Sequence, residues 1–258
     1  YLDDFEGARS EVDLTSQLLW KLASRPDNLR QGVNPAEPLS DGYRRAHLAW
    51  SRIDPILFDR SRSFGLDNDS PSLTNNFSRR VDPNEIFPNR DIFGANVLST
   101  FDLHYFPSER GPYNYETDPT VLEADGTFRN HEDMWAGIMR RTTGNTDFEA
   151  ANFEFIEFWL MDPTLPDSPD STGAGGDLVL NLGKVSEDVL PDSRRSFENG
   201  LPPDAETNNN GQNLVNTDWG RISNSQSVTT SFDNSGDARG FQDVGYDGLA
   251  SPADAPEQ

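Results

Sequence analysis

The 258-residue chain carries 44 acidic side chains against 21 basic ones, a formal net charge of −23, and it contains no cysteine. A field of that sign repels nucleic acid and anionic lipid, and the missing thiols remove disulfides and thiolate metal sites. Hydrophobic residues make up 34%, mean hydropathy is −0.72, and 20 glycines with 18 prolines point to short strands and ordered turns joined by polar loops.

In chain order, period-two alternation is the recurrent signal. Tyr1–Glu6 is a short apolar and acidic strand candidate, and Leu18–Ala23 is a second, centred on Trp20. In Arg45–Ile53, Ala46, Leu48 and Trp50 share one face. Val97–Phe106 is the longest candidate, with Val97, Phe101, Leu103 and Tyr105 together. Met134–Met139, Phe153–Met161 and Asp177–Leu182 complete the set. Between them lie turn-rich stretches such as Arg25–Gly42, Asp59–Pro88 and Pro163–Gly176, several longer than usual for a compact domain and so expected to serve function or a partner. Short helical turns are expected at Val185–Leu190 and Ser193–Asn199. From Pro202 the apolar content thins, with Trp219 and Phe232 as anchors, so residues 1–200 read as one β domain and 201–258 as an extended polar linker.

Strands buried on one face with no helices between them predict a mainly β fold, a β-sandwich or jelly roll with long loops, over a parallel α/β sheet. Transmembrane barrel strands also alternate, over about 9–11 residues. Only Val97–Phe106 and Phe153–Met161 are long enough for that alternative, and Asp102 and Glu157 fall within them. No apolar run approaches the ~20 residues of a membrane helix. The chain opens at Tyr1 inside a strand pattern and without an initiator methionine, which reads as an excerpt of a longer protein.

The residues carry no catalytic signature. His47, His104 and His131 lack the paired spacing of a zinc helix, and no serine sits in a nucleophile elbow, so structural histidines are expected. The many carboxylates invite a glycosidase reading, but their number guarantees chance pairs. Asp3, Asp4 and Glu6, with Asp177 ahead of another strand, form an oxygen-rich group of the kind that holds Ca²⁺; a solvated strand edge kept from pairing by its charge is the plainer reading. Asp67-Asn68-Asp69 lacks the glycine and closing glutamate of a calcium loop. The lysine-poor surface, with only Lys21 and Lys184, fits a salt-adapted, a cation-binding or an extracellular setting alike. Trp20, Trp50, Trp135 and Trp159 each fall within a strand candidate and are expected in the core; exposed, they would suit stacking on sugars. Glu109-Arg110-Gly111-Pro112-Tyr113-Asn114-Tyr115 reads as a fixed corner or contact loop, with Glu109, Arg110, Tyr113 and Tyr115 as contact candidates.

Strings in a fixed order add a resemblance. Asp3-Asp4-Phe5-Glu6-Gly7 leads into Trp20-Lys21-Leu22-Ala23-Ser24, then Arg44–Trp50, Leu98–Asp102, Pro107–Asn114, Trp135–Arg140, Thr146–Asp162, Gly176–Asp188 and Asp192–Pro202. In this order, over about Asp3 to Leu249, they resemble the SprA/Sov family of gliding-motility and secretion proteins of Bacteroidetes-type bacteria. The resemblance implies a non-catalytic piece of the type IX secretion translocon in the cell outer membrane. In that family a giant β-barrel passes folded cargo bearing a C-terminal signal, and a PorV-like companion barrel docks at its side. It implies no cofactor and no catalytic residue, and a soluble excursion of the barrel protein with the extracellular face favoured. Asp3–Glu6 and Glu157-Phe158-Trp159 also look like parts of jelly-roll carbohydrate-binding modules, so a sugar-binding module of a secreted or surface protein is the alternative function.

Overall fold

The computed structural model describes residues 13–26, 34, 36–58, 70–76, 78–89, 98–142, 156–161, 176–191, 214–218 and 220–223. Within these the chain is mostly strand with little helix, and no closed barrel is present among the described residues. The strands are β1 (Trp20–Leu22), β2 (Ala46–Ser51), β3 (Asp102–Arg110), β4 (Ile138–Arg140), β5 (Leu214–Thr217) and β6 (Gly220–Ser223). They form three two-stranded sheets, pairing β1 with β4, β2 with β3 and β5 with β6. The helices α1 (Pro71–Thr74) and α2 (Pro83–Ile86) are single turns. None is long and apolar enough to cross a membrane.

The chain divides into two compact units. One comprises Tyr1–Trp20, Trp50–Leu103 and Arg140–Asn181. Here the Trp20 ring stacks on Phe101 with centroids 5.6 Å apart. Its indole N–H donates to the Leu14 carbonyl at 2.8 Å, while that of Trp50 donates to the Gln17 carbonyl at 3.3 Å, so the polar tip of each half-buried ring has an acceptor. Asp102 accepts from the Ile53 amide and the Thr100 hydroxyl, both at 3.1 Å. Helix α2 starts in a capping box: Asp82 accepts from the Asn84 amide, Glu85 reaches back to the Asp82 amide, and Pro83 fills the first turn, where no N–H is needed. Arg79 grips the Glu85 carboxylate with two nitrogens at 3.0 and 2.9 Å.

The other unit comprises Lys21–Ala49, His104–Met139 and Leu182–Gln258. Its buried apolar residues include Ala23, Ala46, Leu122, Phe128 and Trp135, and Tyr113 packs on Leu190 with Leu22, Leu39, Tyr115 and Val189 around them. Phe128 bridges Leu122 through a tight turn whose Gly126 has φ of 82°, a conformation glycine adopts without strain. The Phe128 amide also donates to Ser108 at 2.8 Å, which fastens this turn to β3. Strands β5 and β6 are an antiparallel hairpin with Val215 opposite Ile222 and Thr217 opposite Gly220. It falls in the stretch whose composition reads as linker; Asp218 and Gly220 are the turn signal there.

Several elements differ from the sequence reading. Strand β3 begins at Asp102 and continues through Pro107 to Arg110; the proline is tolerated because a two-stranded ribbon leaves one edge unpaired. Leu103, Tyr105 and Phe106 all stay substantially exposed. Residues 156–161 and 177–182 alternate but form no strand, for a ladder needs a partner and they have none among the described residues. Residues 185–190 are bends without helix: the Asp188 amide donates to the Ser186 hydroxyl at 3.2 Å, a local bond that competes with a lone helical turn. Tyr1–Glu6 and Ser193–Asn199 lie outside the described residues.

Candidate functional site: the corner at Arg45

Strand β2 is preceded by Arg45, whose backbone is held from two sides. Its carbonyl accepts from the Gly111 amide at 3.0 Å, and it forms a parallel bridge with Trp135, where Trp135 donates to Arg44 at 3.0 Å and Ala46 donates to Trp135 at 2.8 Å. The side chain turns inward and is only 1% exposed. The guanidinium carbon lies 5.1 Å from the Trp135 ring, a cation–π contact, and Nη1 donates to the Pro112 carbonyl at 3.3 Å. Burial pushes the Arg45 pKa down to about 10, with Asp41 opposing that shift and Arg25 adding to it. Asp41 itself is ion-paired with Arg25.

The corner after β3 closes over this residue. Asn114, 2% exposed, donates from Nδ2 to the carbonyls of Tyr43 at 3.0 Å and Arg45 at 2.7 Å, and its Oδ1 accepts from the Glu116 amide at 3.0 Å. Glu116, also buried, accepts from the amides of Thr117 and Asp118, both at 2.9 Å. Tyr113 adopts φ of 60°, a left-handed conformation that costs a non-glycine residue about 1 kcal/mol. Its carbonyl presses on Gly42, where an added Cβ would lie 2.0 Å away.

The four contact candidates are therefore distributed unequally. Tyr113 is interior and Tyr115 packs beside it; Arg110 donates to the Glu116 carbonyl at 3.2 Å. Glu109 is half exposed and pairs with His47 at 2.8 Å, whose ring lies 5.1 Å from Phe106. His47 and Glu109 sit across the β2–β3 ribbon. Of the calcium candidates, Asp3, Asp4 and Glu6 lie outside the described residues, and Asp177 is exposed. No group of three or more metal-ligating side chains occurs among the described residues. Trp135 is buried, Trp20 and Trp50 are partly so, and Trp159 is 68% exposed. Sequence reasoning missed Arg45 and Asn114. The signal available was a basic residue at the mouth of an apolar strand and an asparagine beside Gly-Pro.

The same corner sets a titration. The Tyr43 hydroxyl donates to Glu37 at 2.7 Å, and burial, together with that carboxylate, pushes its pKa up to about 12. The folded state thus holds this proton more tightly than the unfolded chain, where a tyrosine titrates near about 10. The stabilisation is complete below the unfolded value and is lost as pH rises through the folded one. Arg45, with its lowered pKa, acts in the opposite sense over a similar range. Tyr43→Phe should therefore remove the falling component of the urea midpoint between pH of about 10 and 12; an unchanged profile contradicts the assignment.

No protein-family model matches the chain, and no curated protein matches it.

Proposed function

We propose that this chain is a non-catalytic, jelly-roll-like β-sandwich segment of a type IX secretion translocon, which shapes, caps or supports the protein-conducting pore and contacts companion subunits. The observation that carries the reading is the ordered series of strings from Asp3-Asp4-Phe5-Glu6-Gly7 to Asp192–Pro202, which resembles that of the SprA/Sov family. Two features of the fold support it. Ile156, Phe158, Trp159 and Leu160, and then Leu178, Val179, Leu180 and Leu182, expose apolar side chains in sequences that alternate as strands do. Such runs are expected where a chain packs on further parts of a larger β protein. The surface carries a large negative charge, which disfavours adhesion of acidic cargo.

The mechanism in this reading is physical: a disulfide-free β segment buttresses a wide pore in the outer membrane, on its extracellular side, while its apolar runs seat against the barrel wall or a PorV-like companion. The test is made in the full-length parent protein. Replacing Phe158, Trp159 and Leu160 together with serine should leave the chain expressed but lower export of cargo bearing the C-terminal signal by about tenfold, in proportion to a lost contact of about 1.4 kcal/mol. Undiminished export, or a parent gene whose flanks lack alternating strands of about 10 residues, overturns the proposal.

The exposure of Trp159 favours a second reading, a carbohydrate-binding module of a secreted or surface protein. It requires glycan affinity that Trp159→Ala abolishes, and a glycan array without binding excludes it.

A further inference from the structure

We propose that residues 157–161 and 177–181 close on one another as an antiparallel β-ribbon, in exchange with the open arrangement of the two stretches. Both stretches belong to the same compact unit. Phe158, Trp159, Leu160, Leu178, Val179 and Leu180 are each more than half exposed, so both faces of each stretch are bare. No hydrogen bond joins either stretch to another described residue. An added Cβ on Gly176, just ahead of the second stretch, meets nothing within 4 Å, so the backbone there has room for a neighbour. Unpaired amides and carbonyls beside bare apolar side chains are a template for a further strand. Each stretch supplies what the other lacks.

Charge chooses the direction. A parallel pairing in step sets Glu157 directly opposite Asp177, and like charges opposed across a ladder are destabilising. The antiparallel pairing sends them to opposite ends, Glu157 against Asn181 and Asp177 against Met161. The period of two then chooses the register. With Trp159 opposite Val179, Phe158 meets Leu180 and Leu160 meets Leu178, so one face is wholly apolar. A slip of one residue in either direction brings Asn181 opposite Phe158 or Asp177 opposite Leu160 and breaks that face. A second copy of the chain is the poorer occupant, since each copy carries a net charge of −23 and the two stretches of one chain are tethered. The ribbon is a property of this unit and stands whether or not the chain is part of a translocon.

The chain has no cysteine, so introduced pairs report closure without a competing thiol. Two in-register pairs are made in the 258-residue chain, Phe158→Cys with Leu180→Cys and Trp159→Cys with Val179→Cys. Both are needed because neighbouring pairs of an antiparallel ladder alternate between a wider and a closer separation. Phe158→Cys with Val179→Cys is the control, its thiols on opposite faces. Every replaced side chain is more than half exposed, so the interior is untouched, and a urea midpoint equal to that of wild type verifies it. In a glutathione redox buffer the better in-register pair should form an intramolecular disulfide about tenfold more readily than the control, since bridging demands close, convergent Cβ atoms. In-register yields no greater than the control's overturn the ribbon. A disulfide-linked dimer in place of the intramolecular bridge overturns it as well, in favour of pairing between copies.

Discussion

Gly111→Ala should destabilise the chain by about 3 kcal/mol, near the upper end of the usual cost of overpacking. The physical reason is an approach of backbone to backbone. A Cβ on Gly111 would stand 2.2 Å from the carbonyl oxygen of Ala46 and 2.6 Å from its carbon, and neither can swing aside as a side chain can. What must yield is the start of β2, just after Arg45, whose carbonyl already accepts from Gly111. In a chain of this length the loss corresponds to about 9 °C in Tm. Gly176→Ala is the control, because an added Cβ there meets nothing within 4 Å; its effect should stay within about 0.5 kcal/mol. Urea unfolding of the two variants against wild type checks both, and an unchanged midpoint for Gly111→Ala contradicts the close approach.

Asn114→Ala is expected to cost about 3 kcal/mol for a different reason. One side chain satisfies three backbone groups at once, the carbonyls of Tyr43 and Arg45 and the amide of Glu116. Truncation leaves the Tyr43 carbonyl and the Glu116 amide without that partner, while the Arg45 carbonyl keeps the Gly111 amide at 3.0 Å, and each orphaned group costs about 1–3 kcal/mol, reduced where water or a small shift repairs it. Asn114→Asp separates the two halves of the interaction. It retains an oxygen for the Glu116 amide but sets a second oxygen against two carbonyls, so it should recover none of the loss. Equal stability of Asn114→Asp and wild type in urea would remove the asparagine from its assigned role.

How much of this was legible in the sequence depended on which forces were local. Strand β2 was readable because Ala46, Leu48 and Trp50 alternate with His47, Ala49 and Ser51, and the observed strand, Ala46–Ser51, lies within Arg45–Ile53. Strand β3 was displaced because the signal came from Val97 to Phe106, whereas the ladder uses Ser108, Glu109 and Arg110, which carry no apolar alternation. Residues 177–182 show the converse, a strong alternation with no partner strand among the described residues. The hairpin β5–β6 was hidden by its polar surroundings, although turn residues separate Leu214-Val215 from Arg221-Ile222. The corner at Gly111-Pro112-Tyr113 was visible from its composition. Its counterpart Arg45 was not, because no local rule reveals that Asn114 will reach a carbonyl 69 residues earlier.

Three short turns repeat one device: Asp13, Asp118 and Asp125 each accept both the amide and the hydroxyl of the threonine two residues on, at 2.7–3.0 Å. Those bonds hold each carboxyl below the usual carboxylate range. A ring closed over two residues forfeits almost no chain entropy, so these corners form early and locally, on the sub-microsecond scale of about 10–100 ns that governs short loops. The 69-residue closure that seats Asn114 against Arg45 is of another kind, since its entropy is lost before any bond repays it. Refolding should then divide in time: bends that assemble themselves at once, and a slow, concerted meeting of two distant stretches that fixes the interior.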